Sequence, residues 1–166
     1  MQFDFYDIIT ILSAYLIGNI SPAIILGKIN GIDIKKEGSG NAGTTNALRV
    51  LGKKAAAITL VVDILKGVLA VKFGMMLGYE TGIWCALAVF CGHIWPCLYR
   101  FKGGKGVATA FGAILSVNWL LALTALAIVA CGLLISKRMS VGSLLGAATF
   151  PAACWFMEKD FIIVGC

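Results

Sequence analysis

Ile8-Ile9-Thr10-Ile11-Leu12-Ser13-Ala14-Tyr15-Leu16-Ile17-Gly18-Asn19-Ile20-Ser21-Pro22-Ala23-Ile24-Ile25-Leu26-Gly27 runs without a charge for about twenty residues, enough helix to cross a hydrocarbon core of about 30 Å. It decides the fold class because the rest of the chain shares its character. Sixty per cent of the 166 residues are apolar and 13% are charged. Ordinary globular domains hold about 45–50% and about 25%. A soluble chain this short could not hide so much apolar surface, whereas lipid accepts it. The segment does not read as a secretory leader. Asp4 and Asp7 precede it with no Lys or Arg, and no small-residue cleavage site follows. Pro22 removes one helix donor and crowds the carbonyl of Gly18, so a kink is expected there. Asn19 and Ser21 are expected to satisfy the freed backbone groups.

Outward from this run, Lys28 to Lys54 forms the longest polar stretch, followed by apolar runs over Ala55–Leu77 and Gly82–Tyr99. Val107–Ser136 is too long for one ordinary span and short for two, and Asn118-Trp119 at its middle reads as an interfacial turn. Val141–Met157 follows, and a last apolar run starts at Phe161 and stops at Cys166, so a final helix is expected to be cut short. The expectation is an all-α, polytopic helical membrane bundle. It is one integral membrane domain over residues 1–166, with six spans plus the start of a seventh.

The basic residues orient this layout. With the N-terminus outside, the inside loops hold Lys28, Lys35, Lys36, Arg49, Lys53, Lys54, Arg100, Lys102, Lys105, Lys137 and Arg138, which is eleven of the fourteen. Cytoplasmic loops carry such an excess. A single crossing over Val107–Ser136 would put Lys137 and Arg138 outside, so two crossings are expected there. The net charge of +6 calls for an anionic partner. With so little water-facing chain, lipid headgroups or a phosphorylated substrate fit better than nucleic acid. The cysteines at 85, 91, 97, 131, 154 and 166 form no Cys-x-x-Cys pair. They read as small apolar fillers, and neither a metal nor a cofactor is expected.

Chemistry concentrates in four places. Gly38-Ser39-Gly40-Asn41-Ala42-Gly43-Thr44-Thr45-Asn46-Ala47-Leu48-Arg49 contains a formal Gly-x-Gly-x-x-Gly, but the dinucleotide reading needs a strand before it and a βαβ unit around it. What survives is a flexible loop feeding a helix whose free amides suit an anion. Ser39, Asn41, Thr44 and Thr45 are candidate caps, and Arg49 lies one turn after Thr45. Lys102-Gly103-Gly104-Lys105-Gly106-Val107-Ala108-Thr109 is not a Walker A loop. It still places backbone amides and two cations at a helix start, suiting either a phosphate or a headgroup anchor. Asp63 and Lys66, three residues apart within a span, should face the interior and pair. His93, the only histidine, is a packing residue, a general base or a phosphate contact. Position 98 is Leu, so no His-x-x-x-x-Asp acyltransferase motif exists.

Together with Tyr15-Leu16-Ile17-Gly18-Asn19-Ile20-Ser21-Pro22, Asp63-Ile64-Leu65-Lys66-Gly67 and Gly92-His93-Ile94-Trp95-Pro96, these segments, in this order, make the chain resemble the bacterial membrane-bound glycerol-3-phosphate acyltransferases that use acyl phosphate. The resemblance implies a seven-span bundle in the inner membrane with its active site at the cytoplasmic surface. It implies transfer of a fatty acyl group from acyl phosphate to the first hydroxyl of glycerol 3-phosphate, giving lysophosphatidic acid and phosphate. Ser39, Arg49, Lys105 and His93 would be catalytic. Gly38, Gly40, Asn41, Gly43, Thr45, Asn46, Gly103, Gly104, Gly106 and Thr109 would bind substrate phosphates, and Asp63 and Lys66 would form a structural or substrate ion pair. The family's third motif, a His-x-x-Asn element after the last helix, does not occur before Cys166. The competing reading is a transporter or channel for a small anion, which also uses kinked helices and in-membrane ion pairs. Against it, no internal repeat is visible and the polar motifs cluster on one face.

Overall fold

The computed structural model describes the backbone of residues 3–164 and the side chains of residues 3–155. Among these residues all regular secondary structure is helical, as expected, and the chain forms two compact units.

The first unit ends at Val117. It contains α1 (Phe5–Gly18), α2 (Pro22–Ile29), α3 (Thr44–Val50), α4 (Lys53–Met75), α5 (Tyr79–Ile94), a 3-10 turn (Cys97–Tyr99) and α6 (Val107–Val117). The expected kink is a complete break. α1 stops at Gly18, Ser21 is extended, and Pro22 starts α2 at the position where its missing N–H costs nothing. The two helices meet at 42°. α4 packs on α6, α1 and α5, and α1 packs on α5. Small residues permit these crossings. A methyl on Gly18 would sit 2.9 Å from Gly92 Cα, and one on Gly67 would sit 2.8 Å from Ala113 N. Such close backbone approach is how helices associate when lipid supplies no hydrophobic drive. The outward faces are apolar instead, with Leu12, Leu16, Leu60, Leu69 and Leu87 all exposed. This inverted pattern suits lipid. The interior holds the polar groups, among them Asn19, Thr59, Asp63, Lys66, His93 and Thr109.

The second unit, from Asn118, packs α7 (Trp119–Ser136) on α8 (Met139–Val164). Asn118 accepts from the amides of Leu120 and Leu121 and so caps α7, which explains the break in the long apolar run. Lys137, left-handed at φ 53°, closes the helix. The expected break at Glu158–Asp160 is absent. The backbone runs as one helix through these residues to Val164, and the separate last run from Phe161 is the end of α8.

Among the described residues two segments are long and apolar enough to cross a membrane alone, Tyr79–Tyr99 and Trp119–Ser136, and the bent α1–α2 pair is a third if it counts as one span. α4 has 23 residues, about 34 Å at 1.5 Å per residue, but carries Asp63, Lys66 and Lys72 along its length. Its two central charges are buried in the first unit and not presented to lipid.

Candidate active site

The helix break is held by a lysine and not by its own side chains. Lys66 Nζ donates to the carbonyls of Gly18 at 3.1 Å and Ile20 at 2.6 Å, the oxygens freed where α1 stops. Of the two side chains expected to do this, Asn19 donates back to the Tyr15 carbonyl at 2.7 Å. Ser21 Oγ is buried with no hydrogen-bond partner among the described residues. An ammonium has three strong donors and can reach across from α4, which a serine at the break cannot.

The same ammonium lies 2.8 Å from Asp63 Oδ1 and 2.7 Å from His93 Nδ1. Thr109 Oγ1 is 3.2 Å from that ring nitrogen, and Asp63 Oδ1 is 3.4 Å from it. All four side chains are buried. A charged Lys66 selects the tautomer, its three protons being shared among four acceptors. An ammonium only donates, so a proton on Nδ1 would point at a cation 2.7 Å away, and the weaker, longer approach of Asp63 cannot offset that. Nδ1 therefore accepts, and Nε2 carries the proton. Thr109 Oγ1 lies beside Nδ1 and, fully buried, presents no surface to a phosphate.

Nε2 faces the second glycine loop. A methyl on Gly104 would collide with His93 Nε2 and would sit 2.9 Å from the Ala42 carbonyl of the first loop. Only glycine lets the two loops and the imidazole meet there. The amides of Gly103 and Gly104 are used internally, donating to the Ile94 and His93 carbonyls at 3.0 and 3.1 Å. The expected cradle of consecutive free amides is therefore not found at Gly103 and Gly104, and the chain turns into α6 at Gly106, φ 76°. Lys105 is exposed at this turn.

The first loop is locked from beneath. Asn46 is fully buried. Its Oδ1 accepts from the Ser39 amide at 2.8 Å, and its Nδ2 donates to the Ile34 and Glu37 carbonyls at 3.0 and 3.1 Å. Asn46 is therefore a scaffold and not a face of the site. Gly38, at φ 60°, lies against that amide with no room for a side chain. No side chain caps α3. Gly43 occupies the cap position, in place of the Ser39, Asn41, Thr44 or Thr45 cap that the sequence allowed. Thr44 Oγ1 is instead buried with no hydrogen-bond partner among the described residues. Ser39 is exposed, while Gly40, Asn41, Gly43 and Thr45 are half-buried along the loop. Arg49 is exposed on α3 and lines an open depression with Asp33, Lys36, Glu37 and Gly38.

The rest of the frame comes from Tyr15, which had no expected role, and from Asn19 in a second role. Tyr15 Oη donates to the Trp95 carbonyl at 2.8 Å, and Asn19 Oδ1 accepts from the Leu98 amide at 3.2 Å. Both tie α1 to the segment leading into the second glycine loop. The only hint in the sequence was the polar Asn19 within an apolar run.

Known proteins resemble this chain in sequence and in fold. A family model described as glycerol-3-phosphate acyltransferase matches residues 8–166. The chain is 50% identical over 162 residues to a glycerol-3-phosphate acyltransferase of Thermoanaerobacter pseudethanolicus, covering 95% of this chain and 82% of that protein. It is 46% identical over 159 residues to one from Clostridioides difficile, covering 91% and 78%. Among solved structures it resembles the integral membrane glycerol 3-phosphate acyltransferase PlsY in its glycerol 3-phosphate form. That match has a TM-score of 0.85 and 30% identity, over 93% of this chain and 78% of that one. The lysophosphatidic acid form of the same enzyme gives 0.82. With a helical membrane core, two glycine loops meeting on one histidine, and a family match along nearly its whole length, the chain belongs to the glycerol-3-phosphate acyltransferase family.

Proposed function

We propose that this protein transfers a fatty acyl group from acyl phosphate to the sn-1 hydroxyl of glycerol 3-phosphate, releasing lysophosphatidic acid and inorganic phosphate. The observation that carries the reading is the meeting of both glycine loops at a buried, oriented His93. The site lies at the cytoplasmic face of the bacterial inner membrane, with the N-terminus outside, following the basic residues of the loops.

The hydroxyl oxygen of glycerol 3-phosphate attacks the acyl carbonyl, and the bond from that carbon to phosphate breaks. Phosphate is a good leaving group, so no covalent enzyme intermediate is required. The work is to position two anions and hold charge as it develops. His93 is not the base, because Lys66 already occupies its free lone pair. Its Nε2–H is instead a donor aimed at the glycine loop. The hydroxyl proton goes to an oxygen of the departing phosphate. Lys105, Gly106 and the first turn of α6 hold one phosphate. Arg49, Ser39 and Thr45, with the buried Thr44 hydroxyl, hold the other substrate's phosphate or the reacting carbonyl. The apolar surface of the bundle and the surrounding lipid receive the tail.

The test is purified protein in lipid, with release of inorganic phosphate and formation of lysophosphatidic acid followed together. Both should require both substrates. Phosphate release without glycerol 3-phosphate would refute the acyl transfer, and uptake of a small anion into vesicles without chemistry would favour the transporter reading.

A further inference from the structure

Away from the His93 site, Tyr99 gathers lysines. Lys35 Nζ lies 5.3 Å and Lys28 Nζ 5.6 Å from its ring centroid, both within cation–π range. Lys35 also donates to the Tyr99 carbonyl at 3.3 Å, and the Lys102 amide donates to the same oxygen at 3.2 Å. Burial is the main cause holding the Lys35 ammonium below the usual lysine range. Asp33 opposes this, and the charges of Lys102 and Lys28 push it further down. Two ammonium groups therefore share the Tyr99 ring, and Lys102, whose backbone is tied to the same residue, adds a third positive charge that acts on Lys35. Asp33 is the carboxylate that acts on Lys35. It is already engaged by the Lys35 amide at 3.2 Å and lies 3.9 Å from Lys36.

The surroundings of the cluster are apolar and outward. Ile29, next to Lys28, is 74% exposed, and Leu98 and Phe101, on either side of Tyr99, are 70% and 60% exposed. Arg100 and Phe101 are consecutive non-glycine residues in the left-handed region, at φ 57° and 58°. That turn presents Phe101 outward while bringing the chain back to Lys102, and strain of this kind gathers at functional positions. The turn is closed by the Phe101 amide donating to the Pro96 carbonyl at 2.9 Å, and the segment before it is tied to α1 by Tyr15 and Asn19. Lysines beside outward aromatic and aliphatic side chains suit a ligand with a charged head and a lipid tail, since ammonium groups reach headgroups while apolar side chains enter the acyl region.

We propose that Lys28, Lys35 and Lys102, gathered about Tyr99, form a second anion site that holds the phosphate headgroup of an anionic membrane phospholipid. An anion there relieves the mutual repulsion of the lysines. A free phosphate ion would make no use of Ile29, Leu98 and Phe101. The proposal concerns binding alone and does not depend on the catalytic reading above.

The experiment measures retention of phosphatidylglycerol by the intact protein in nanodiscs of otherwise neutral lipid. The variants are Lys28→Gln/Lys35→Gln/Lys102→Gln, the same three positions changed to Arg, and Lys53→Gln/Lys54→Gln as a charge control. At about 1 kcal/mol per lysine near a headgroup, the triple Gln variant should lose affinity on the order of a hundredfold. The Arg triple and the control should retain it. Native protein should also release the lipid as salt rises from about 0.05 to about 0.5 M, because screening shortens the reach of the ammonium charges. This arm does not depend on any variant folding. Equal retention by the triple Gln variant, an equal loss in the control, or no salt dependence would overturn the proposal. Displacement by inorganic phosphate would make this a free-phosphate site, and displacement by lysophosphatidic acid alone would make it a station for the reaction product. Either result also overturns the phospholipid assignment.

Discussion

Lys66→Met is the most informative single substitution. The side chain keeps its length and loses its charge, so packing along α4 is largely conserved. Four partners are left without it. Asp63, 2.8 Å from the ammonium, becomes a buried carboxylate without its counter-ion. The Gly18 and Ile20 carbonyls, at 3.1 and 2.6 Å, lose their donor at the helix break. His93 Nδ1, at 2.7 Å, loses the group that fixes its tautomer. Removing one partner of a buried ion pair costs about 3–5 kcal/mol. Each orphaned carbonyl adds about 1–3 kcal/mol where water cannot reach it. Lys66→Met should therefore lower the thermal midpoint of the detergent-solubilised protein sharply, followed as the fraction surviving size exclusion after heating. Asp63→Asn/Lys66→Met removes the uncompensated charge and should recover part of the loss, leaving mainly the two carbonyls exposed. Turnover should fall in both, because His93 Nδ1 becomes free to take a proton and Nε2 is no longer held as the donor. A Lys66→Met protein with an unchanged midpoint and normal turnover would refute both the ion-pair role and the tautomer argument.

Four further outcomes follow from the geometry. Gly104→Ala places a methyl against His93 Nε2 and the Ala42 carbonyl. It should nearly abolish phosphate release while the protein still inserts, and near-normal turnover would show that the loops do not meet on His93. His93→Gln, which can still present an N–H donor, should retain more activity than His93→Leu in the same assay, whereas equal loss in both would argue against a donor role. Arg49→Ala and Lys105→Ala should each cut kcat/KM by the factor that about 1.5–3 kcal/mol represents, roughly 10- to 150-fold. A Lys105→Arg variant should recover only part of this, because a planar fork is not a compact ammonium, and normal turnover by Lys105→Ala at low substrate would remove the lysine from the phosphate site. In a cysteine-free background, single cysteines at positions 36 and 102 should resist an impermeant thiol reagent applied outside the cell, and labelling of either would reverse the orientation.

The sequence by itself determined the class of this protein, because the determinant is composition. A chain of 60% apolar residues and only 13% charged ones has one solvent that suits it, and backbone satisfaction in lipid then leads to helices. The positions of Pro22 and Asn118 located the helix breaks, since a missing donor and a short capping side chain act locally. The glycine motifs marked where backbone would lie close to something else. What they lay close to was decided by tertiary structure. Lys66 could be paired with Asp63 from a three-residue spacing, but its reach to Gly18, Ile20 and His93 spans 48, 46 and 27 residues of chain. No local pattern encodes such contacts. The same holds for the role of His93. Whether an imidazole donates or accepts depends on what its other nitrogen touches, and here that is an ammonium carried by another helix. Asn46 and Thr109 read from the sequence as ligand contacts because they sit in polar motifs. Burial and the geometry of their hydrogen bonds turned them inward, since a loop of glycines keeps its shape only when side chains hold its backbone from within.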